Sequence, residues 1–224
     1  MSLRALVDIT TPYSWIHAWT YENIVADAAR DVQVDELEAR FLRRLAPGAR
    51  VLDVGAGGGR ITAWVAERRP DLRVEAVEPA ATQRARAERA TRGLGTVSVR
   101  EGDVDHLGAP EASVDGALSC GAIKHWPDRA RGLRALVRAC KPGAPVCVTE
   151  VDRSCRFDDA RAFVARFPTP AVLRPVMLAN FRTFVAGQSL DLDEARSLAA
   201  GAGLREVVVD RIPGSPLLLI AGLR

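Results

Sequence analysis

Apolar positions along this chain switch repeatedly between short dense runs and helical spacing. Leu37, Phe41, Leu42 and Leu45 recur three and four residues apart, which predicts an amphipathic helix over residues 35–46, stopped by Pro47-Gly48. Residues 50–54 form a compact apolar run broken by one acid, and helical spacing returns over residues 60–69. Pro70-Asp71 turns the chain into a second predicted strand at 73–78, a polar helix covers 80–92, and residues 96–100 read as a third strand. A fourth strand is predicted over 112–119 and a helix capped by Asp128 runs to Val137. Lys141-Pro142-Gly143 then turns into a fifth strand at 145–151. Alternation of this kind predicts an α/β fold with a doubly wound, mostly parallel sheet, whose ligands bind at the carboxyl ends of the strands.

Three segments stand outside the alternation. Residues 152–190 hold five of the six phenylalanines, punctuated by Pro168, Pro170 and Pro175, and predict a helical insertion that supplies an apolar substrate wall with Phe181 and Phe184 in it. Residues 1–34 form a helical prelude in which Tyr13, Trp15, His17, Trp19 and Tyr21 crowd together; rings such as Trp15, His17 and Tyr21 either pack as ordinary core or close over a ligand as a lid, and the cluster alone leaves both open. After a helix at 191–200, strands at 204–211 and 216–221 joined by Pro213-Gly214-Ser215 predict a terminal β-hairpin.

The 224 residues suit one domain rather than two. Within residues 1–224 the expected parts are a lid (1–34), a core (35–151), a substrate cap (152–190) and a closing helix and hairpin (191–224). A net charge of +3, with arginines scattered over presumed helix faces, gives no basic stripe for nucleic acid. No apolar run approaches the ~20 residues of a membrane span, and the four cysteines show no C-x-x-C pair or zinc spacing, so reduced thiols, a cytoplasmic location and no metal are expected. The expected partner is a small molecule, with the chain a monomer or homodimer.

The chemistry is carried by Val51-Leu52-Asp53-Val54-Gly55-Ala56-Gly57-Gly58-Gly59-Arg60, a strand, a glycine turn and a helix start. Such a turn lets backbone approach a nucleotide-like ligand with helix amides aimed at it. A dinucleotide fingerprint would need a glycine where Arg60 stands; here the glycines alternate. Glu78 ends the second strand, where an acid can accept hydrogen bonds from both hydroxyls of a ribose.

With Asp53 before the glycines, this stretch resembles motif I of the class I S-adenosylmethionine (SAM)-dependent methyltransferases. The S-V-D-G around Asp115, the Trp126-Pro127-Asp128 segment and the K-P-G turn resemble later landmarks of that family. The resemblance implies a seven-stranded sheet ending in an antiparallel hairpin, SAM as cofactor and S-adenosylhomocysteine (SAH) as product. It implies cofactor contacts from Asp53, Gly55, Ala56, Gly57, Gly59, Glu78 and Pro79. It further places Asp103 and the Val104 amide at the adenine, and Cys120 and Gly121 beside the methionine end. His125 would then stand near the transferred methyl as a general base, with Lys124 positioned to steer an acidic or phenolate acceptor. O-methylation of an aromatic or polyketide-like small molecule is the leading expectation. Transfer to nitrogen or carbon, and SAM binding without transfer, stay open.

Overall fold

The computed structural model describes residues 24–224, apart from the side chain of Phe184. Its centre is a seven-stranded sheet of order β3-β2-β1-β4-β5-β7-β6. The strands are β1 (Arg50–Val54), β2 (Arg73–Val77), β3 (Val97–Arg100), β4 (Gly116–Cys120), β5 (Pro145–Val151), β6 (Arg205–Arg211) and β7 (Leu217–Leu223). The first five run parallel, and β7 lies antiparallel to both β5 and β6. Chain order reverses between β1 and β4, which is the switch point where such sheets open a crevice at their carboxyl ends. The expected fold class, antiparallel finish included, is the observed one.

Helices cover both faces. On one face α1 (Ala26–Asp31), α2 (Val34–Arg40) and α3 (Arg60–Arg68) pack over Val51, Val74 and Leu118, joined by α6 (Phe157–Val164) of the insertion. On the other, α5 (Arg129–Ala139) and α8 (Leu192–Ala200) cover Leu52, Ala117, Val146 and Val148. The alternation of β1, with Val51 to one layer and Leu52 to the other, is why a strand buried on both faces reads as a continuous apolar run. Helix α4 (Ala81–Ala90) and α7 (Arg174–Asn180) complete the set.

The predicted helix at 35–46 divides: α2 ends at Arg40, Phe41 leaves helical geometry at φ −124°, and Leu42–Arg44 continues as a 3₁₀ turn. Phe41 and Leu42 are buried all the same, so the apolar spacing marked the buried face and not the helix end. The fourth strand starts at Gly116, later than predicted: Ala112 takes a left-handed φ of +54°, Val114 makes only an isolated bridge to Cys140, and Asp115 joins β1 through its N–H, donated to Arg50 O at 2.8 Å. Its carboxylate accepts from Arg50 N (2.9 Å) and Lys141 Nζ (2.7 Å). In the insertion, α6 is followed by a 3₁₀ turn at Ala171–Leu173, α7 and a π-helical turn at Phe181–Ala186. No helix among the described residues is long and apolar enough to cross a membrane.

Candidate active site

The glycine turn after β1 is suspended from the neighbouring strands. Gly55 N and Ala56 N both donate to Val77 O, at 2.8 and 3.2 Å. Ser119 Oγ donates to Val54 O at 2.7 Å, fixing β4 to the start of the turn. Gly55, Gly57 and Gly59 all adopt positive φ, +74°, +55° and +80°. A Cβ on Gly55 would stand 2.4 Å from the Ala122 Cβ, and one on Gly59 would stand 2.7 Å from the Ala87 Cα of α4. At Gly57 the same construction meets nothing within 4 Å. The outer glycines thus let the turn lie against its neighbours, and the middle one leaves open space.

Two carboxylates stand behind this turn. Asp53 is 1% exposed and accepts from Thr62 Oγ1 of α3 at 2.6 Å. Its burial raises the carboxyl to about 7; the Thr62 bond opposes this and the charge of Glu78 adds to it. The Asp53 carboxylate therefore braces β1 against α3 from behind the turn. Glu78 accepts from Gly57 N and from Ala80 N, each at 2.9 Å. Burial raises its carboxyl, and these two backbone bonds partly offset that. Pro79 is exposed, and its carbonyl accepts from Arg84 Nη1 at 2.5 Å. Arg84 also pairs with Glu101 at 2.9 Å and so joins the ends of β2 and β3.

After β3, Asp103 organises its own turn: Oδ1 accepts from Asp105 N (2.9 Å) and His106 N (2.7 Å), with His106 Nδ1 at 3.0 Å. Burial opposes ionisation, but the His106 bonds prevail and hold the carboxyl below its ordinary value. Oδ2 has no hydrogen-bond partner among the described residues and is available to a ligand amine. The Val104 side chain is buried, close to Trp126 and Gly132.

At the end of β4, Cys120 pairs in register with Thr149 of β5, and Gly121 (φ +70°) donates its N–H to Thr149 O at 2.8 Å. Burial pushes the Cys120 thiol far up, so it stays protonated. Thr149 Oγ1 donates to Gln33 Oε1 at 2.5 Å, and Gln33 Nε2 donates to Ala29 O at 2.7 Å, which pins α1 to the sheet beside Cys120. The next turn, Ile123–His125, is 3₁₀. His125 is exposed on the rim, yet desolvation by the surrounding chain, then the Lys124 charge, bring its ring down to about 4, against an upward pull from Glu150.

Three of the expected site residues meet partners inside the protein. Lys124 Nζ lies 3.0 Å from Oε1 of Glu150, a buried acid near the end of β5. Sequence reading passed over Glu150, although an acid near the end of the mostly apolar Pro145–Val151 run was the available signal. Phe181 is core, 3% exposed, with its ring centroid 5.4 Å from Phe163, itself 5.2 Å from Phe167. A side chain inside that cluster cannot line a substrate wall. Asp53, as described, stands behind the turn. Trp15, His17 and Tyr21 lie outside the described residues, as does the Phe184 side chain. Two surface cavities, of about 440 and 380 Å³, are lined by residues such as Arg30, Trp64 and Ala90 or Arg50, Arg73 and Thr96, and by none of the rim carboxylates. Convergent polar groups, not enclosure, mark the rim. Among the described residues no cluster of acids, histidines or cysteines is arranged to hold a metal ion.

The glycine turn, Glu78, Asp103 and Cys120 thus stand at the ends of β1, β2, β3 and β4 along one rim. Residues 52–148 match the model of a methyltransferase domain. The chain has the fold of the class I SAM-dependent methyltransferases, and its core matches their domain model. The chain is 33% identical over 122 residues to the chloroplastic 2-methyl-6-phytyl-1,4-hydroquinone methyltransferase 2 of Oryza sativa subsp. japonica, covering 53% of this chain and 33% of that one. It is 30% identical over 152 residues to methyltransferase GfsG of Streptomyces halstedii, covering 66% of this chain and 54% of the other. It spans about a third of the length of the first hydroquinone methyltransferases it matches. A SAM-dependent methyltransferase from Aquifex aeolicus shares the fold with a TM-score of 0.63 at 18% identity, over 91% of this chain and 92% of that chain.

The rim suits SAM on its own evidence. Gly57 leaves room for a close backbone approach, Asp103 Oδ2 can take an adenine amine, and Glu78, with Oε2 on Gly57 N and Oε1 on Ala80 N, ends β2 where a ribose would be met. Gly57, Glu78, Asp103 and the Cys120-Gly121 backbone are the residues that would hold the cofactor, with Gly55 and Gly59 shaping the turn.

Proposed function

We propose that this methyltransferase moves a methyl group from SAM to a small aromatic acceptor bearing a hydroxyl group. The observation that carries the reading is the Lys124–His125 turn at the β4 end of the rim, a neutral imidazole beside a cation, next to the place where the methionine end of the cofactor would lie. SAM, when bound, supplies a methyl group already activated on a positively charged sulfur. The residues need to orient the acceptor, exclude water and take one proton.

His125 is the group proposed to take it. With its ring held at about 4, His125 is a neutral imidazole near pH 7, the form that can accept a proton. The same low value makes it a weak base by itself, so it needs help from groups that stabilise the acceptor's anion. The hydroxyl proton passes to a ring nitrogen of His125 and the electron pair stays on the acceptor oxygen. That negative charge beside the ring then raises the imidazole's affinity for the proton.

Methylation at the oxygen is the direct outcome. A second outcome, attack by a ring carbon made electron-rich by the same oxygen, is favoured by the hydroquinone named in the first relatives. Domain division also belongs to this proposal: residues 1–34 and 152–190 choose the acceptor, and the core between them holds SAM. Incubation with SAM carrying a labelled methyl and a panel of phenols and hydroquinones tests the reading. Labelled product whose methyl position is read by NMR supports it and separates oxygen from carbon. Tight SAH binding without transfer to any phenol or hydroquinone, but with transfer to amines, would overturn it.

A further inference from the structure

Glu150 is the penultimate residue of β5, and its side chain is wholly buried. A carboxylate taken out of water to that extent is costly unless cations and donors answer it. Lys124 answers it twice, through Nζ at 3.0 Å and its backbone N–H at 3.3 Å, and Val151 N adds a third donor at 2.8 Å. Burial works to raise the Glu150 carboxyl, but the Lys124 charge and these donors hold it below its ordinary value. Solvent reaches the pair only from the lysine side, where 15% of the Lys124 side chain is exposed against 0% for Glu150.

The setting is the acceptor end of the rim. Thr149, the residue before Glu150, pairs with Cys120 across the ends of β4 and β5, and the residue after Lys124 is His125. The charged groups that bear on the imidazole are Lys124 and Arg129, which lower it, and Glu150, which raises it. Arg129 is itself engaged by Glu194 at 2.5 Å and by the Gln188 carbonyl at 3.0 Å. The Lys124–Glu150 pair is therefore the built charge arrangement beside the proposed base.

We propose that Glu150 is a positioning residue that holds the Lys124 side chain where the acceptor oxygen becomes anionic. The inference rests on the methyltransferase reading above and names its substrate class more narrowly: an acceptor whose hydroxyl ionises, a phenol or an enol, rather than an amine. An amine acceptor becomes cationic on methylation and would meet the lysine charge unfavourably. A pair that merely stapled the 3₁₀ turn would be indifferent to the ionisation state of a bound phenol.

The experiment uses the full chain loaded with SAH and 4-nitrophenol as the probe, whose bound phenol and phenolate forms absorb differently. Calorimetry with SAH comes first; failure of the wild type to bind SAH counts against the methyltransferase reading and not against Glu150. With SAH bound, the wild type is expected to prefer phenolate over phenol at least about tenfold. Lys124→Met is expected to abolish that preference, and Lys124→Arg to keep most of it. Glu150→Gln is expected to weaken it about tenfold, because Lys124 loses the carboxylate that holds its Nζ in place. NMR titration of His125 gives a second readout, its pKa rising in Lys124→Met. Equal binding of phenol and phenolate by the wild type, no binding of the probe at millimolar concentration, or phenolate bound as tightly by Glu150→Gln as by the wild type would each overturn the inference. Should Glu150→Gln fail to fold, the wild-type preference and the Met and Arg variants at Lys124 still decide it.

Discussion

Gly57 donates its backbone N–H to Glu78 Oε2 across 2.9 Å, so the open glycine of the turn and the acid ending β2 form one unit. The other oxygen, Oε1, accepts from Ala80 N, and both bonds need an acceptor on the side chain. Glu78→Ala removes both and the ribose contact proposed for it. Hydrogen bonds to charged groups contribute about 1.5–3 kcal/mol each, so SAH affinity should fall at least ~10-fold. Glu78→Gln should fare little better, since its NH₂ would face one of the two N–H donors. Calorimetric titration with SAH checks both, and an unchanged dissociation constant in Glu78→Ala would remove Glu78 from the site.

The three alternate glycines should respond differently to alanine. Gly59→Ala places a Cβ 2.7 Å from the backbone of α4 and Gly55→Ala one 2.4 Å from Ala122, so both should lose stability heavily in urea unfolding. Gly57→Ala meets no neighbour and carries only the left-handed strain, roughly 1–2 kcal/mol, yet it intrudes on the ligand side. Its signature is weak SAH binding by a protein that still folds.

Asp53 gives a pH signature of unusual sign. Its carboxyl is raised to about 7 in the folded chain, above its ordinary 3.8. Between those values the unfolded chain has released the proton and the folded chain keeps it, so Asp53 makes stability fall as pH climbs from about 4 to about 7, levelling above that. Asp53→Asn, which preserves an acceptor for Thr62, should flatten that part of the stability profile. Denaturant midpoints measured from pH 4.5 to 8 in both proteins provide the check.

Phe181→Ala should cost about 3–5 kcal/mol because it empties the Phe163–Phe167–Phe181 cluster that fastens the insertion to the body of the protein. A large loss of stability with acceptor preference retained in the folded fraction identifies it as core. A change of acceptor preference at unchanged stability would return it to the substrate wall.

The sequence by itself determined the sheet and the positions along its rim. Strand and helix periods differ, and glycine turns and strand-end acids are local signals, so the order of elements, the glycine turn, Glu78 and Asp103 could be read one residue at a time. What each side chain faces was decided only by the tertiary structure, because that depends on partners far away in the chain. Lys124 and Glu150 are 26 residues apart and meet only because β4 and β5 lie side by side. Phe181 has the same composition signal whether it lines a pocket or fills a core, and its contact with Phe163 settles the matter. Asp53 carries the family's motif acid, yet the hydroxyl of Thr62 and the surrounding low dielectric assign it to bracing the turn.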